Sequence, residues 1–285
     1  MDSKPTPDLF DAYYYATSCG RPYQRNEEWL NFFGSVADNI VQGLQPVTVL
    51  DAGCAWGFLV ESLRKRGVQA FGIDISDYAI QNVAPDFKPF CWKGSIVQPF
   101  PQKYDLIVSI EVLEHMQTEE AKKAVKNFCQ FTDQVLFSST PFDYKETTHF
   151  NVQPPEYWAE LFAQQGFFRD VDFDASFITP WATCFQRKTE ILPRIVRDYE
   201  RKFFLLWKEN YDLRSLNLEF HNALASKNTE NEGIVNDLSG QLQEIYQSRS
   251  WQTIQKLIHW RVKLIPYGSS RERILQKLHI LSKRE

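Results

Sequence analysis

Paired cysteines are missing from this sequence. Its five, Cys19, Cys54, Cys91, Cys129 and Cys184, are scattered, odd in number and never in a C-x-x-C pair, which argues against a disulfide framework or a zinc cluster and for small buried thiols. No run of about 18 consecutive apolar residues occurs, so no membrane-spanning helix is expected. The opening MDSKPTPDLF lacks a cationic stretch followed by an apolar core, and the expectation is a chain made and kept in a reducing cytoplasm. A basic excess is also missing over most of the length. The net charge is −4; residues 251–285 carry +6, which leaves −10 on residues 1–250. An acidic body does not suit binding to nucleic-acid phosphates, and no nucleic acid is expected as a partner. The 15% aromatic content argues against disorder.

What is present centres on residues 47–63, VTVLDAGCAWGFLVESL. Val47, Val49 and Leu50 lie in a short apolar run, as in a strand buried on both faces, and Phe58, Leu59 and Leu63 recur at helical spacing. This reads as strand, turn, helix, with Asp51 at the strand's carboxyl end. Gly53 and Gly57 let the backbone turn sharply beneath a ligand, and the next helix offers unpaired N–H groups there. A second apolar run, FGIDIS at residues 71–76, ends in Asp74, 21 positions after Gly53. An acid roughly 20 residues on accepts hydrogen bonds from ribose hydroxyls in doubly wound folds. The nicotinamide fingerprint G-x-G-x-x-G is lacking, which favours a different nucleoside cofactor.

With YDLIVSIEVLEHM at residues 104–116, these stretches resemble, in order and spacing, the class I S-adenosylmethionine-dependent methyltransferases, including those of bacterial surface-glycan biosynthesis. The resemblance covers roughly residues 13–187, about one domain. It implies an α/β fold, a doubly wound Rossmann-like sheet of seven strands in the order 3-2-1-4-5-7-6. It also implies that S-adenosylmethionine is held by Asp51, Gly53, Cys54, Gly57 and Phe58 around the first turn and by Asp74 at the ribose. Ile75 and Ile96 would pack on the adenine, with Ser95 at its exocyclic amine and Glu111 beside the cofactor loop. Two positions depart from the family pattern: Ala55 replaces the usual middle glycine of the turn, and Ser95 stands where an acid is common.

The remaining elements follow from periodicity. Trp29, Phe32, Phe33, Val36, Ile40 and Leu44 form one stripe of a helix, preceded by a loop-like segment in which Tyr23 and Arg25 either cover the methionine end or serve as packing and surface charge. A short helix is expected over 77–83 and strands over 87–92, 105–110, 134–138, 167–173 and 182–187. Thr118 is expected to cap a helix, and EYWAELFAQQG to end with Gly166 at C′.

Methyl transfer to a hydroxyl needs a proton acceptor or a metal ion. Glu111, Glu114 and His115 follow the fourth strand at i, i+3, i+4, and His149 lies in the loop after the adjacent strand. The catalytic candidates are His149, His115 and Glu111. The four residues Glu111, Glu114, His115 and His149 form a candidate set for Mg²⁺, Mn²⁺ or Zn²⁺, resembling the metal-dependent 2′-O-methyltransferases of small RNAs and, for the first three, the ubiquinone-pathway O-methyltransferases. The competing reading is a metal-free base at His149 or His115. Phe142, Tyr144, Phe150, Tyr157 and Trp158 offer stacking faces for an acceptor, or core packing in the case of the last two.

The pattern divides the chain into a methyltransferase domain with its N-terminal cap segment (1–189), a helical extension (190–249) and a basic amphipathic tail (250–285). In the extension Leu213, Leu216, Phe220 and Leu224, then Val235, Leu238, Leu242 and Ile245, step by three and four as in a coiled coil, with a break expected at KNTENEG; a helical hairpin is the alternative. A homodimer through the coil is one implied partner. The tail, with Trp251 and Trp260 beside Lys256, Arg261 and Lys263, suits the inner face of a membrane or a glycan-synthesis complex, or else a helix docked on the chain's own acidic body. The function expected is O-methylation of a sugar hydroxyl on a glycan or glycolipid acceptor. Small-molecule or quinone O-methylation, and a non-catalytic cofactor-binding assembly partner, are the alternatives.

Overall fold

A computed structural model describes residues 9–189 and 191–278. Seven strands, β1 (Thr48–Ala52), β2 (Gln69–Asp74), β3 (Cys91–Lys93), β4 (Leu106–Ile110), β5 (Gln134–Ser138), β6 (Phe167–Arg169) and β7 (Thr183–Arg187), form one sheet in the order β3-β2-β1-β4-β5-β7-β6. The first five are parallel, and β7 runs antiparallel to both β5 and β6. The fold is the doubly wound, Rossmann-like sheet that the motifs imply.

Because successive strand residues point to opposite faces, the sheet builds two cores. Val49, Leu106, Val108 and Leu136 face helices α2 (Glu27–Leu44) and α3 (Phe58–Lys65). Leu50, Ile107, Val135 and Phe137 face α5 (Thr118–Phe131) and α6 (Pro155–Ala163). One strand thus serves both layers, and its carboxyl end is left to line a crevice. Asp105 sets the register of β1 from below, its carboxylate accepting from the Val47 and Thr48 N–H groups.

Several local expectations are corrected. The N-terminal segment contains a helix, α1 (Ala12–Thr17), because the Asp11 side chain accepts from the Tyr13 and Tyr14 N–H groups. Helix α4 stops at Gln81 (Asp77–Gln81), and the third strand begins later than the pattern suggests because a 3-10 turn over Lys88–Phe90, with Pro89 inside it, precedes it. Gln117, not Thr118, is the N-cap of α5; the Thr118 hydroxyl donates instead to Asn151. Gln164 is the C-cap of α6, so Gly166, at φ 78°, stands one position beyond C′. The sixth strand is short, ending at Arg169.

By compactness the chain divides into units 1–204 and 205–285, against pattern boundaries after 189 and 249. Residues 192–204 join the first unit because the Arg169 N–H donates to the Tyr199 hydroxyl and Arg201 pairs with Asp172. Helix α7 (Leu192–Gln247) runs unbroken through KNTENEG, so neither the interruption nor a hairpin is present in 192–247. Polar residues do not end a helix by themselves, and a lone Gly233 costs only about 1 kcal/mol relative to alanine. Among the described residues, the second unit also holds α8 (Arg249–Leu264) and α9 (Ser270–Lys277). Among the described residues, no helix is long and apolar enough to cross a membrane.

Candidate active site

A cavity of about 1000 Å³ opens above the carboxyl ends of β1, β2 and β4. Asp51, Gly53 and Cys54 reach it from β1 and its turn, Asp74 and Ile75 from β2, and Ser95 and Ile96 from the segment after β3. Glu111, Glu114 and His115 enter after β4, and His149 from the long loop after β5. Adjacency of β4 and β5 in the sheet brings these last four residues to one rim.

The first turn is shaped by close packing. Gly53 sits at φ 96°, and a Cβ there would stand 2.4 Å from Val112 Cγ2. Ala55 also takes a left-handed conformation, φ 45°. That costs a non-glycine residue about 1–2 kcal/mol, offset here by its N–H, which donates to Asp74 Oδ2 at 2.9 Å. Asp74 Oδ1 accepts from the Ser76 N–H at 2.8 Å. Each carboxylate oxygen thus keeps acceptor capacity after fixing the turn. Burial raises the Asp74 pKa, opposed by these backbone N–H groups, and burial with the neighbouring Asp74 charge pushes Asp51 up to about 8.

Gly57 and Phe58 do not line the cavity. Phe58 is buried and stacks on Tyr23, with ring centroids 5.2 Å apart, so it supports the turn from behind rather than meeting a ligand. Gly57, at φ 70°, makes the turn into α3, where a Cβ would crowd Cys91 Sγ at 3.1 Å. Tyr23 does reach the cavity, but Arg25 does not: its guanidinium is engaged by both oxygens of buried Glu61, at 2.7 Å each. The N-terminal segment is pinned to the rim by Ser76, whose hydroxyl donates to the Phe10 carbonyl.

On the other side, the helical spacing expected of Glu111, Glu114 and His115 is not what the backbone adopts. Glu111 is left-handed, φ 52°, and only a 3-10 turn, Leu113–His115, follows. Glu111 therefore stays in the cavity wall but accepts from Trp181 Nε1, another lining residue, at 3.0 Å. It stands outside the group that does converge: one donor atom each from Glu114, His115 and His149, all within 4.8 Å of one another. The four-residue metal set is thus corrected to three.

Glu114 is fully buried; burial, and then Glu111, hold its pKa well above the usual carboxylate range. Its Oε1 accepts weakly from the Thr140 N–H at 3.4 Å, while its Oε2 has no partner. His115 Nδ1 lies 2.9 Å from the Thr148 hydroxyl and Nε2 lies 3.2 Å from the Tyr14 hydroxyl. Burial, then the His149 imidazole, push His115 down to about 3, so it is neutral at physiological pH and a poor proton acceptor. His149 Nδ1 is 2.8 Å from the Asp143 carbonyl, to which only a protonated nitrogen donates, so the lone pair falls on Nε2.

Tyr14 and Trp181 are site residues that sequence reasoning missed. The run of three tyrosines held the only signal for Tyr14, and none marked Trp181. Of the aromatic loop residues, Phe142 and Tyr144 line the cavity and are exposed; Phe150 does not line it, Trp158 is buried in the core, and Tyr157 packs against that core.

The family model described as a methyltransferase domain matches residues 21–168, just over half of the chain. A ubiquinone biosynthesis O-methyltransferase of Nitrosomonas europaea is 35% identical over 89 residues, 28% of this chain and 37% of that protein. An O-antigen chain terminator bifunctional methyltransferase/kinase of Escherichia coli is 28% identical over 153 residues, 48% of this chain and 21% of that protein. The chain thus spans well under half the length of these curated relatives. Among solved structures, magnesium protoporphyrin IX methyltransferase from Synechocystis, with bound SAH, is 18% identical over 64% of this chain and 99% of that one, with a TM-score of 0.47.

Proposed function

The chain belongs to the methyltransferase-domain family, and from that premise we propose that it moves the methyl group of S-adenosylmethionine onto a sugar hydroxyl of a glycan or glycolipid in the cytoplasm. One observation carries the reading: a single cavity holds the Gly53 turn and Asp74 on one side and Glu114, His115 and His149 on the other. The first group suits the nucleoside and sulfonium, the second a hydroxyl acceptor. The match to an O-antigen chain terminator favours a sugar as that acceptor.

In the transfer, the bond from sulfur to methyl carbon breaks as the acceptor oxygen bonds to that carbon, and the hydroxyl proton must leave. Asp74 and the N–H groups of the turn fix the donor; Phe142 and Tyr144 present ring faces to the acceptor, so that the two reactants meet in line. His149 takes the proton on Nε2, because its Nδ1 is committed to the Asp143 carbonyl. His115 holds its place through Thr148 and Tyr14 and does not compete for that proton.

As the alternative to a base at His149, the residues Glu114, His115 and His149 fit a divalent cation: the buried Glu114 Oε2 lacks a partner, and burial keeps His115 in the neutral form that ligates. Bound there, such an ion would supply positive charge that acidifies the acceptor hydroxyl, in place of proton transfer to His149.

The match to a ubiquinone biosynthesis enzyme favours a second reading, with a phenol or quinone-type hydroxyl as acceptor. Incubation with isotope-labelled cofactor and a panel of nucleotide sugars, polyprenyl-linked glycans and phenols separates the two. The sugar reading expects label on a sugar oxygen. Label on phenols alone overturns it in favour of the second reading, and absence of both cofactor binding and transfer overturns both.

A further inference from the structure

Helix α7 spans 56 residues without one buried side chain, a length of about 84 Å. Helical stability in water comes mostly from packing an apolar face, so a helix that exposes this much apolar surface over 206–245 has a face to bury there. Seven of the exposed apolar residues fall at a mean period of 3.5. Leu206, Leu213, Phe220 and Ile234 are separated by seven or fourteen, and Leu224, Leu238 and Ile245 fill the alternating row. All seven are between 49% and 67% exposed. Asn210, Asn217 and Asn231 complete the second row, with Lys227 and Gln241 in the first. In heptad terms the first row is d and the second is a.

We propose that this seam closes on the same seam of a second copy of the chain, as a parallel, in-register, two-stranded coiled coil over residues 206–245. Two features select that occupant. A parallel pairing in register sets each a-position asparagine against its own copy, where the two amides satisfy each other; asparagine at a is a device that fixes register and favours two strands. Reversing one chain instead sets the a row against a largely apolar d row and leaves the amides facing hydrocarbon, which buried polar groups do not tolerate cheaply. The flanking charges select the same arrangement. In the parallel pair Glu209 faces Arg214 of the second copy, and no acid meets an acid across the seam. In the reversed pair the acidic row Glu209, Glu230, Asp237 and Glu244 faces its own copy.

Sedimentation of the full-length protein tests the number of strands, and a single introduced cysteine tests their direction. The expected mass is that of two chains of 33.4 kDa. Leu213→Cys, at d, should give a disulfide-linked dimer on mild oxidation, whereas Thr229→Cys, on the outer face, and the unsubstituted chain should not. Leu224→Glu combined with Leu238→Glu should return the mass to one chain, with unchanged cofactor affinity showing that the first unit remains folded. A single-chain mass for the unsubstituted protein at all concentrations overturns the proposal. A three-chain mass overturns the two-stranded form, and a dimer that the Leu213→Cys substitution fails to link overturns the parallel register.

Discussion

The sheet-bearing unit and helix α7 use the same side chains to opposite ends. Leu50, Leu106, Ile107 and Phe162 are wholly buried, while Leu206, Leu213 and Phe220 of α7 stand half or more in solvent. Composition does not separate them; period does. Alternation of two along the strands and of 3.6 along α2 and α5 sends apolar groups toward partners within the chain, whereas a period of 3.5 keeps them on a straight seam suited to another helix. Folding buries the apolar groups of the first region, and it leaves those of α7 exposed. Changes in the first should therefore alter cofactor, chemistry or stability, and changes in α7 should alter assembly alone.

The largest expected effect falls on chemistry. His149→Ala should lower turnover by ~10²–10⁴-fold, the usual worth of a general base, while leaving cofactor affinity near that of the unchanged protein. Steady-state kinetics with calorimetric titration of S-adenosylmethionine separates the two quantities. A collapse of cofactor affinity instead would place His149 on the donor side of the cavity.

A pH dependence of stability should arise in the first unit, from the buried carboxyl of Asp51. Asp51 has a folded-state pKa of about 8, above its unfolded value of roughly 4. The folded chain thus keeps a proton that the unfolded chain releases. Stability from this group is present below about pH 4 and is lost as pH rises toward 8, by up to roughly 5 kcal/mol. Urea melts between pH 5 and 9 should show the decline, and Asp51→Asn should flatten it. A flat profile in the unchanged protein would mean that Asp51 is ionised when buried.

Next in size is Asp74→Ala, which removes the acceptor of the Ala55 and Ser76 N–H groups and of the proposed ribose contacts. Loss of a charged hydrogen-bond partner costs about 1.5–3 kcal/mol, or at least tenfold in S-adenosylmethionine affinity. Equal affinity in a folded Asp74→Ala variant would remove this residue from the cofactor site.

The sheet was legible in the sequence because buried parallel strands read as short apolar runs, and two of them carry an acid at or next to the carboxyl end, Asp74 and Asp51. Their order follows from the resemblance and is what the structure shows. Convergence of Glu114, His115 and His149 was legible too, since strands β4 and β5 are neighbours. Glu111 was not. Its left-handed backbone breaks the helical spacing on which its place in a metal set was argued, and nothing in EVLEH signals that conformation. Phe58 was misplaced because an apolar residue beside a glycine turn suits a ligand and a core equally, and only tertiary packing on Tyr23 decides. Tyr14 comes to His115 from 101 positions away, a distance that no local pattern spans.

The smallest effect concerns the end of the chain, where α8 leaves Ile254, Leu257, Ile258, Trp260 and Leu264 exposed, a surface that suits an anionic membrane. Three basic residues, Lys256, Arg261 and Lys263, were expected to add attraction, but Arg261 is already engaged. Its guanidinium lies 3.4 Å from Glu272 Oε1 and over the Tyr267 ring, while Glu272 Oε2 accepts from the Gly268 N–H. These contacts close the turn between α8 and α9. Lys256 and Lys263 remain, each worth about 1 kcal/mol near an anionic leaflet. Binding should therefore be weak and lost at raised salt. Vesicle flotation should carry part of the full-length protein at low salt with anionic lipid, and none with neutral lipid or with residues 1–249 alone. Lys256→Glu with Lys263→Glu should abolish it, whereas Arg261→Gln should loosen the turn more than it weakens flotation. If the full-length protein stays unbound at low salt, the exposed face of α8 does not meet lipid, and docking on the chain's own body or a protein partner remains.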